Sequence, residues 1–430
     1  LAVQPFKVGP DFIDPGHHQA VCGIPSRNLD GWMLGREYTI ESFRHHCAGK
    51  DVAVVEGVMG LFDGIGSDDE GSTAQIARWL KTAVLLVVDA RGMSGSVAAL
   101  INGFKTYRRD VMLSGVVLNR VGSADHFRRL TSIITERCGT PVVGCLPAEV
   151  SITIPGRHLG LVTAKEVRLK KRFIDRMAAL FERSLDLDLL LRTGSSLQKR
   201  QMQARRHDAA APPVIPRVRI GLASDRAFSF YYQDNLDMLR QMGATLVPFS
   251  PLRDRYLPPR LHGIYIGGGY PEVFAGELEA NRGMRREIMR FAEEGGVIYA
   301  ECGGLMYLGT GIRTFAGRAH KMVGIFPYTT IMQQRLTHLG YHSVKAVRDT
   351  IIARRGECAR GHQFRYSSLE GDGPVKGDAF SVSKATSGKA FRDGFRYKNV
   401  LAQYVHLHFG SNLNYAHRFV ESCRRGAGNR

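Results

Sequence analysis

Short apolar runs alternate along the chain with longer stretches whose apolar residues recur at helical spacing. That alternation predicts parallel sheets layered with helices. In the first half, strands are predicted at Val52 to Glu56, Ala83 to Asp89, Met112 to Asn119 and Pro141 to Leu146. Each is followed by Gly, Asn or Pro and then by a helix-length segment. The periodicity fails near Arg192, and residues 193–216 read as a polar, Ala/Pro-rich linker. A second series follows at Val218 to Ala223, Ala244 to Phe249, Gly263 to Ile266 and Val297 to Ala300. A chain of 430 residues exceeds one ordinary core. Two α/β domains are therefore expected, residues 1–192 and residues 217–430.

Composition narrows the class. Hydrophobic content of 44% with 48 glycines fits a globular protein, not a disordered or fibrous one. Apolar runs fall short of the roughly 18 residues a membrane helix needs. The opening LAVQPFKVGPDF lacks the basic-then-apolar layout of a secretory signal. Seven cysteines, at 22, 47, 138, 145, 302, 358 and 423, include no CxxC pair. An odd, dispersed set argues against a disulfide framework or structural zinc and predicts a cytoplasmic location. The net charge of +19 gathers partly at Arg168 to Arg172, Lys199 to Arg206 and the tail Arg424, Arg425, Arg430. No aromatic residues interleave with these runs. They read as a helix face, a linker and an end that attract anionic small molecules, with neither nucleic acid nor membrane as partner.

Three features carry chemistry. In GGVIYAECGGLMYLG, Gly295 to Gly309, a buried strand ends at Glu301-Cys302, and two glycines then lead into an apolar helix. This is the layout of a nucleophile elbow, and a following helix N-terminus favours a thiolate. Alone it reads equally well as a buried cysteine on a turn. Gly267-Gly268-Gly269-Tyr270-Pro271-Glu272 sits at another strand end. There, bare backbone N–H groups of Gly268 and Gly269 can form an oxyanion hole, or simply a tight turn. In Gln403-Tyr404-Val405-His406-Leu407-His408-Phe409, two histidines at i and i+2 share one side of an extended segment. A cysteine nucleophile needs such an imidazole to hold its proton.

Together these features resemble the class I glutamine amidotransferases, in which a strand-end cysteine, a glycine-rich backbone and a late His-x-Glu make the site. The resemblance makes Cys302 the nucleophile and His406 the base, with His408 as an alternative or supporting base. His408 stands where that superfamily has Glu, which points to a subgroup with a Cys-His dyad. Further segments narrow the resemblance to the cobyrinate and hydrogenobyrinate a,c-diamide synthase family. They are VQPFKVGPDFIDPGHH (Val3 to His18), SRNLDGWML (Ser26 to Leu34), VVEGVMGLFDG (Val54 to Gly64), GSTAQIA (Gly71 to Ala77), VVLNRVGS (Val116 to Ser123), PGRHLGL (Pro155 to Leu161), AFSFYYQDNLDML (Ala227 to Leu239) and FSPLRD (Phe249 to Asp254). The implied fold is an N-terminal P-loop, dethiobiotin-synthetase-like parallel sheet followed by a class I glutaminase-like α/β domain.

The implied reaction is ATP-dependent activation of corrin side-chain carboxylates, then amidation by glutamine-derived ammonia. L-Glutamine, ATP and a corrinoid polycarboxylate are the implied partners, Mg²⁺ the implied cofactor, and a homodimer one implied assembly. Glu56 and Asp11 would serve the metal, Lys7 the transferring phosphoryl group, Asn119 and Arg120 the nucleotide, and Asp14 and Asp63 the substrate. Read without the resemblance, Glu56 is an exposed turn acid and the aspartates beside Pro or Gly are turn residues.

The sequence departs from the family in two places. No P-loop, GxxxxGK[ST], is present, and the first strand is expected to be missing with it. Gly66 to Thr73 lacks the lysine, and its three acids would repel phosphate. The chain as given is thus expected to bind ATP at least about a thousandfold less tightly than one with the loop. In Arg360-Gly361-His362-Gln363-Phe364-Arg365-Tyr366-Ser367, Gln363 and Arg365 replace the family's Glu and His. Two readings from other classes stand beside the synthetase: a homologue retaining only glutaminase activity, and a non-enzymatic tetrapyrrole-binding protein.

Overall fold

A computed structural model describes residues 1–148, 152–157, 160–167, 169, 171–194, 218–371 and 377–428. Most of the predicted linker, the basic run Lys199 to Arg206 and part of the PGRHLGL segment lie outside the described residues. The chain forms two compact units, and the first 38 residues alternate between them. Leu1–Gly9, His17–Ile24 and the described residues after Tyr38 up to Gly194 make the first unit. Pro10–Gly16, Pro25–Tyr38 and the described residues from Val218 onward make the second.

The first unit opens with β1 (Val3–Val8), while β2 (Arg27–Leu29) belongs to the second. β1 pairs in parallel with β3 (Val52–Glu56), which sets Lys7 directly beside Glu56. A separate parallel sheet runs β4 (Val84–Asp89), β5 (Leu113–Asn119), β6 (Val142–Leu146). Helices Ser96–Tyr107 and Ala124–Cys138 cover it, burying Val97, Ile101, Leu130 and Ile134 against Val116 and Leu118. Serine caps fix two helix starts: Ser72 accepts from Gln75 N at 3.1 Å and Ser123 from His126 N at 3.1 Å. Among the described residues β3 pairs on one edge only, and so does β4. Val54 on β3 is 52% exposed and Val87 on β4 is 60% exposed. Strands of parallel sheets are ordinarily covered on both faces, so these two valines mark unpacked sheet surface. A short hairpin, β7 (Gly156–Arg157) and β8 (Gly160–Leu161), completes the unit's strands.

The second unit is built on β9 (Val218–Ala223), β10 (Ala244–Phe249), β11 (Gly263–Ile266) and β12 (Val297–Glu301). All four were predicted from sequence, β12 one residue short. Eight further strands follow: β13 (Gly309–Arg313), β14 (Ala319–Lys321), β15 (Phe326–Met332), β16 (His338–Ala346), β17 (Cys358–Arg365), β18 (Ser367–Glu370), β19 (Phe380–Lys384) and β20 (Ala390–Asp393). They form two mainly antiparallel sheets, ordered β14-β13-β15-β18 and β20-β19-β16-β17-β23, the last strand being β23 (His406–Leu407). The central sheet is ordered β10-β9-β11-β12-β22-β21, with β22 (Val400–Gln403) parallel to β12 and β21 (Phe395–Tyr397) antiparallel at the edge.

β12 lies in the middle of this sheet and is buried throughout. Its alternating side chains feed two cores: Ile298 and Ala300 on one face, Val297 and Tyr299 on the other. The C-terminal end of β12 is therefore the place where a polar side chain can be held rigidly. Glu301 and Cys302 occupy it.

Candidate active site

Cys302 follows β12 with φ 47° and ψ −101°, a backbone conformation that non-glycine residues rarely adopt. Its surroundings hold it there. Cys302 N donates to Gln403 O at 2.8 Å, and Met306 N donates to Cys302 O at 3.0 Å. A Cβ on Gly304 would stand 2.3 Å from Ile266 O, and one on Gly303 would stand 3.1 Å from Gly269 N. Gly304 is thus required for close backbone approach, and Gly303 sits where a side chain would be crowded.

The thiol is buried, and its pKa is pushed up to about 12, chiefly by burial, with the nearby Glu272 carboxylate adding. The Arg365 guanidinium and the Gly303 N–H act in the opposite direction. The helix behind the cysteine, Gly303–Leu308, is only six residues long. The thiolate bias expected from a helix N-terminus is outweighed by desolvation. At rest the group is a neutral thiol.

Gly268 and Gly269 lie beside this turn with different local roles. Gly268 N donates to Phe230 O at 3.3 Å, a long bond, and Gly268 O accepts from Ser229 N and Phe230 N. Gly269, at φ 151°, turns the chain so closely past Ala227 that a Cβ would stand 2.0 Å from its carbonyl oxygen. Gly269 N lies against Gly303.

His406 is buried, and its ring edge rests on Gly268: a Cβ there would stand 2.3 Å from Cε1 and 3.1 Å from Nε2. Since Gly303 also packs on Gly268 and Gly269, the Cys302 turn and the imidazole meet at Gly268. Burial pushes the His406 pKa down to about 3, so the ring is neutral near pH 7. Its faces are packed by Phe12, ring centroids 5.0 Å apart, and by His362, stacked at 5.1 Å and 17°. His362 is fixed by a 2.8 Å hydrogen bond between Nδ1 and Tyr232 Oη. Gly361 makes the pairing of β17 with β23 possible, since a Cβ would lie 2.1 Å from His406 O.

His408 has hydrogen-bonding of its own. β23 ends at Leu407, and His408 instead caps a short 3-10 turn, its Nδ1 accepting from Gly410 N at 3.1 Å. Its ring packs on Tyr232 at 4.6 Å and edge-on to Tyr38 at 6.0 Å. Gln363 is 1% exposed, and neither amide atom finds a partner among the described residues. Arg365 lies 3.8 Å above the Tyr404 ring and donates to Ser367 O at 2.5 Å.

The residues expected to serve nucleotide and metal form smaller groups. In the first unit, Lys7 Nζ donates to Gly57 O at 2.9 Å and stands 3.3 Å from Glu56 Oε1. The other Glu56 oxygen lies 2.6 Å from His18 Nε2. Asp63 accepts from Gly60 N at 2.8 Å, a turn contact. Arg120 has φ 58° and pairs with Asp89 at 2.8 Å, while its N–H donates to Asn119 Oδ1 at 3.0 Å. Asp11 and Asp14 belong to the second unit. Asp11 Oδ1 accepts from Ile13 N at 2.7 Å and caps the helix that carries Asp14. Among the described residues no three His, Cys, Asp or Glu side chains gather where they could hold a metal ion.

Four contributors to the surroundings of Cys302 and His406 were not identified from sequence: Phe12, Tyr232, Glu301 and His362. Glu301 carried a usable signal, a carboxylate ending an otherwise wholly apolar strand. Phe12 carried none, being almost 400 positions from its partner His406.

Comparison with known proteins decides the family. A family profile described as "CobB/CobQ-like glutamine amidotransferase domain" matches residues 219–413, and one described as "AAA domain" matches residues 33–155. The cobyrinate a,c-diamide synthase of Listeria monocytogenes serotype 4b is 41% identical over 421 residues, covering 96% of this chain and 91% of that protein. The chain belongs to the cobyrinate a,c-diamide synthase family. The same-named protein of Syntrophotalea carbinolica is 42% identical over 427 residues, 99% of this chain and 92% of its own length. That of Caldanaerobacter subterraneus subsp. tengcongensis is 39% identical over 421 residues, 98% and 92% respectively. As a cobyrinate a,c-diamide synthase family member, the chain is a glutamine-dependent amidating ligase of cobalamin biosynthesis. No helix among the described residues is long and apolar enough to cross a membrane.

Proposed function

We propose that the protein converts the a and c side-chain carboxylates of cobyrinate or hydrogenobyrinate to primary amides, using ATP and L-glutamine. The observation that carries the reading is the strained Cys302 turn meeting the neutral imidazole of His406 at Gly268.

In the glutaminase half, Cys302 Sγ attacks the side-chain amide carbon of glutamine while its proton passes to His406 Nε2. The negative charge that develops on the amide oxygen is met by backbone N–H groups of the Gly268-Gly269 turn, Gly269 foremost because Gly268 N already has a partner. The imidazolium returns its proton to the departing nitrogen, releasing ammonia and leaving a glutamyl thioester on Cys302. Water then hydrolyses the thioester with His406 again as base. His408, held in its capping role, is left out of this cycle.

In the other half, ATP phosphorylates a substrate carboxylate and ammonia displaces phosphate to give the amide. Lys7, buried and aimed past the end of β1, is the group that meets the transferring phosphoryl oxygens. Mg²⁺, when bound, neutralises phosphate charge, and half-exposed Glu56 fits the sparse carboxylate ligation this ion takes beside phosphates. Asp63 faces the substrate in this reading, and Asn119 with Arg120 contact the nucleotide. The "AAA domain" match over residues 33–155 supports nucleotide use by this half.

The test is direct. Protein, Mg²⁺, glutamine, cobyrinate and ATP in large excess, to offset the weak binding expected without a GxxxxGK[ST] loop, are incubated, and products are read by mass spectrometry beside glutamate release. Two successive carboxylate-to-amide mass changes, dependent on Cys302, are expected. Glutamate release with no change in the corrinoid would leave only the glutaminase half of the reading.

A further inference from the structure

We infer that Glu301, the residue immediately before the nucleophile, is the carboxylate that orients His406, so that the site is a Cys302–His406–Glu301 triad. The inference rests on the glutaminase reading of Cys302 and His406 given above.

The geometry begins with a burial problem. Glu301 ends a strand whose other residues are apolar or aromatic, and its side chain is 3% exposed. A carboxylate in that position is costly unless its oxygens are occupied. Three donors occupy them. Oε1 accepts from Tyr299 Oη at 2.5 Å and from Leu407 N at 3.0 Å, while Oε2 accepts from Tyr265 Oη at 2.9 Å. The donors come from β12, β11 and β23, so the carboxylate is fixed by three separate strands. One of them, Leu407, adjoins His406 in sequence.

Oε2 stands 4.0 Å from His406 Nδ1. That nitrogen is buried and has no hydrogen-bond partner among the described residues. The Cε1–Nε2 edge of the ring faces Gly268. The imidazole thus lies between a carboxylate on its Nδ1 side and the nucleophile turn on its Nε2 side, the order a proton relay needs. An approach of about 1 Å brings Nδ1 to hydrogen-bond distance of Oε2. The bond fixes the Nδ1–H tautomer, which leaves Nε2 bare to take the thiol proton. It also stabilises the imidazolium formed when Cys302 attacks. In this role the ionised carboxylate holds the imidazolium by charge and transfers no proton itself. In the His-x-Glu arrangement the acid comes two residues after the histidine. Here that position holds His408, occupied elsewhere, and the acid comes instead from the strand end beneath the nucleophile.

Glu301 acts through His406, so it is a positioning residue, and its test must separate orientation from architecture. Steady-state glutamine hydrolysis is measured for the wild type, Cys302→Ala, Glu301→Gln and Glu301→Asp. Glutamine at position 301 keeps the volume but can donate to Nδ1, which selects the wrong tautomer. The triad predicts a fall in kcat of at least about 100-fold for Glu301→Gln with KM for glutamine unchanged, and partial recovery of kcat in Glu301→Asp. Glu301→Gln within about threefold of wild-type kcat overturns the triad, as does an equal loss in both variants with KM rising in step. Turnover persisting in Cys302→Ala would instead overturn the underlying glutaminase reading. Should either variant not fold, the wild-type protein with labelled imidazole nitrogens settles the point by NMR after Cys302 is alkylated by an electrophilic glutamine analogue. A strongly downfield Nδ1 proton on His406 is expected, and an Nε2–H tautomer overturns the triad.

Discussion

The His406 imidazole lies on the bare Cα of Gly268, so closely that a methyl group there would stand 2.3 Å from Cε1. Gly268 therefore does for the histidine what Gly303 and Gly304 do for the cysteine: it makes room.

Gly268→Ala should displace the ring and leave the nucleophile without its base. Loss of general-base assistance is expected to lower kcat for glutamine hydrolysis by about 100-fold or more. Overpacking a tight site should cost roughly 1–3 kcal/mol of stability in denaturant melts. Retention of wild-type kcat would mean that the ring can move without consequence.

Glu301 gives the glutaminase unit a pH-dependent stability with a definite sign. Burial raises its carboxyl to about 7, above the ordinary carboxylate value, against the opposing hydrogen bonds from Tyr299, Leu407 and Tyr265. Between the unfolded and folded values the folded state holds the extra proton, so stability declines as pH rises through that window. Glu301→Gln, which cannot ionise, should lose less stability than the wild type between about pH 4.5 and 7, by roughly 3 kcal/mol at most. Parallel stability–pH curves for the two proteins would contradict this.

Arg27 is anchored to Asp234 at 2.9 Å and Asp237 at 2.5 Å, with Tyr38 Oη also on Asp234 at 3.1 Å. The pair Arg27–Asp234 is largely buried, so removing one partner strands the other charge. Arg27→Ala is expected to destabilise the second unit by about 3 kcal/mol. Proteolysis should then cut within Pro25–Tyr38, a segment the contacts of Arg27 and Tyr38 hold in place. A change of under about 0.5 kcal/mol would mark the pair as a surface-like contact.

Much of this arrangement was legible in the residues. All eight strands named from hydrophobic runs exist within a residue of their expected ends, because runs flanked by Gly, Pro and Asn leave little freedom. The Cys302 turn was legible for a similar reason: only a glycine permits the approach made at 304, and the space at 303 is tight. The antiparallel sheets between Gly309 and Asp393 were not named, since half-buried strands such as β16 and β17 mix Gly, His and Arg with apolar residues. One relationship is set by long-range packing and leaves no local trace: the placement of Pro10–Gly16 and Pro25–Tyr38 in the second unit, with Phe12 against His406.

Covalent trapping of the nucleophile tests the central claim most directly. The protein is treated with a diazoketone analogue of glutamine, with and without excess glutamine, and the modified peptide is located by mass spectrometry. The predicted result is a single adduct on Cys302, suppressed by glutamine and formed far more slowly in His406→Ala, although this thiol is buried and Cys22 and Cys358 are exposed. Labelling confined to the exposed thiols and indifferent to glutamine would contradict the account.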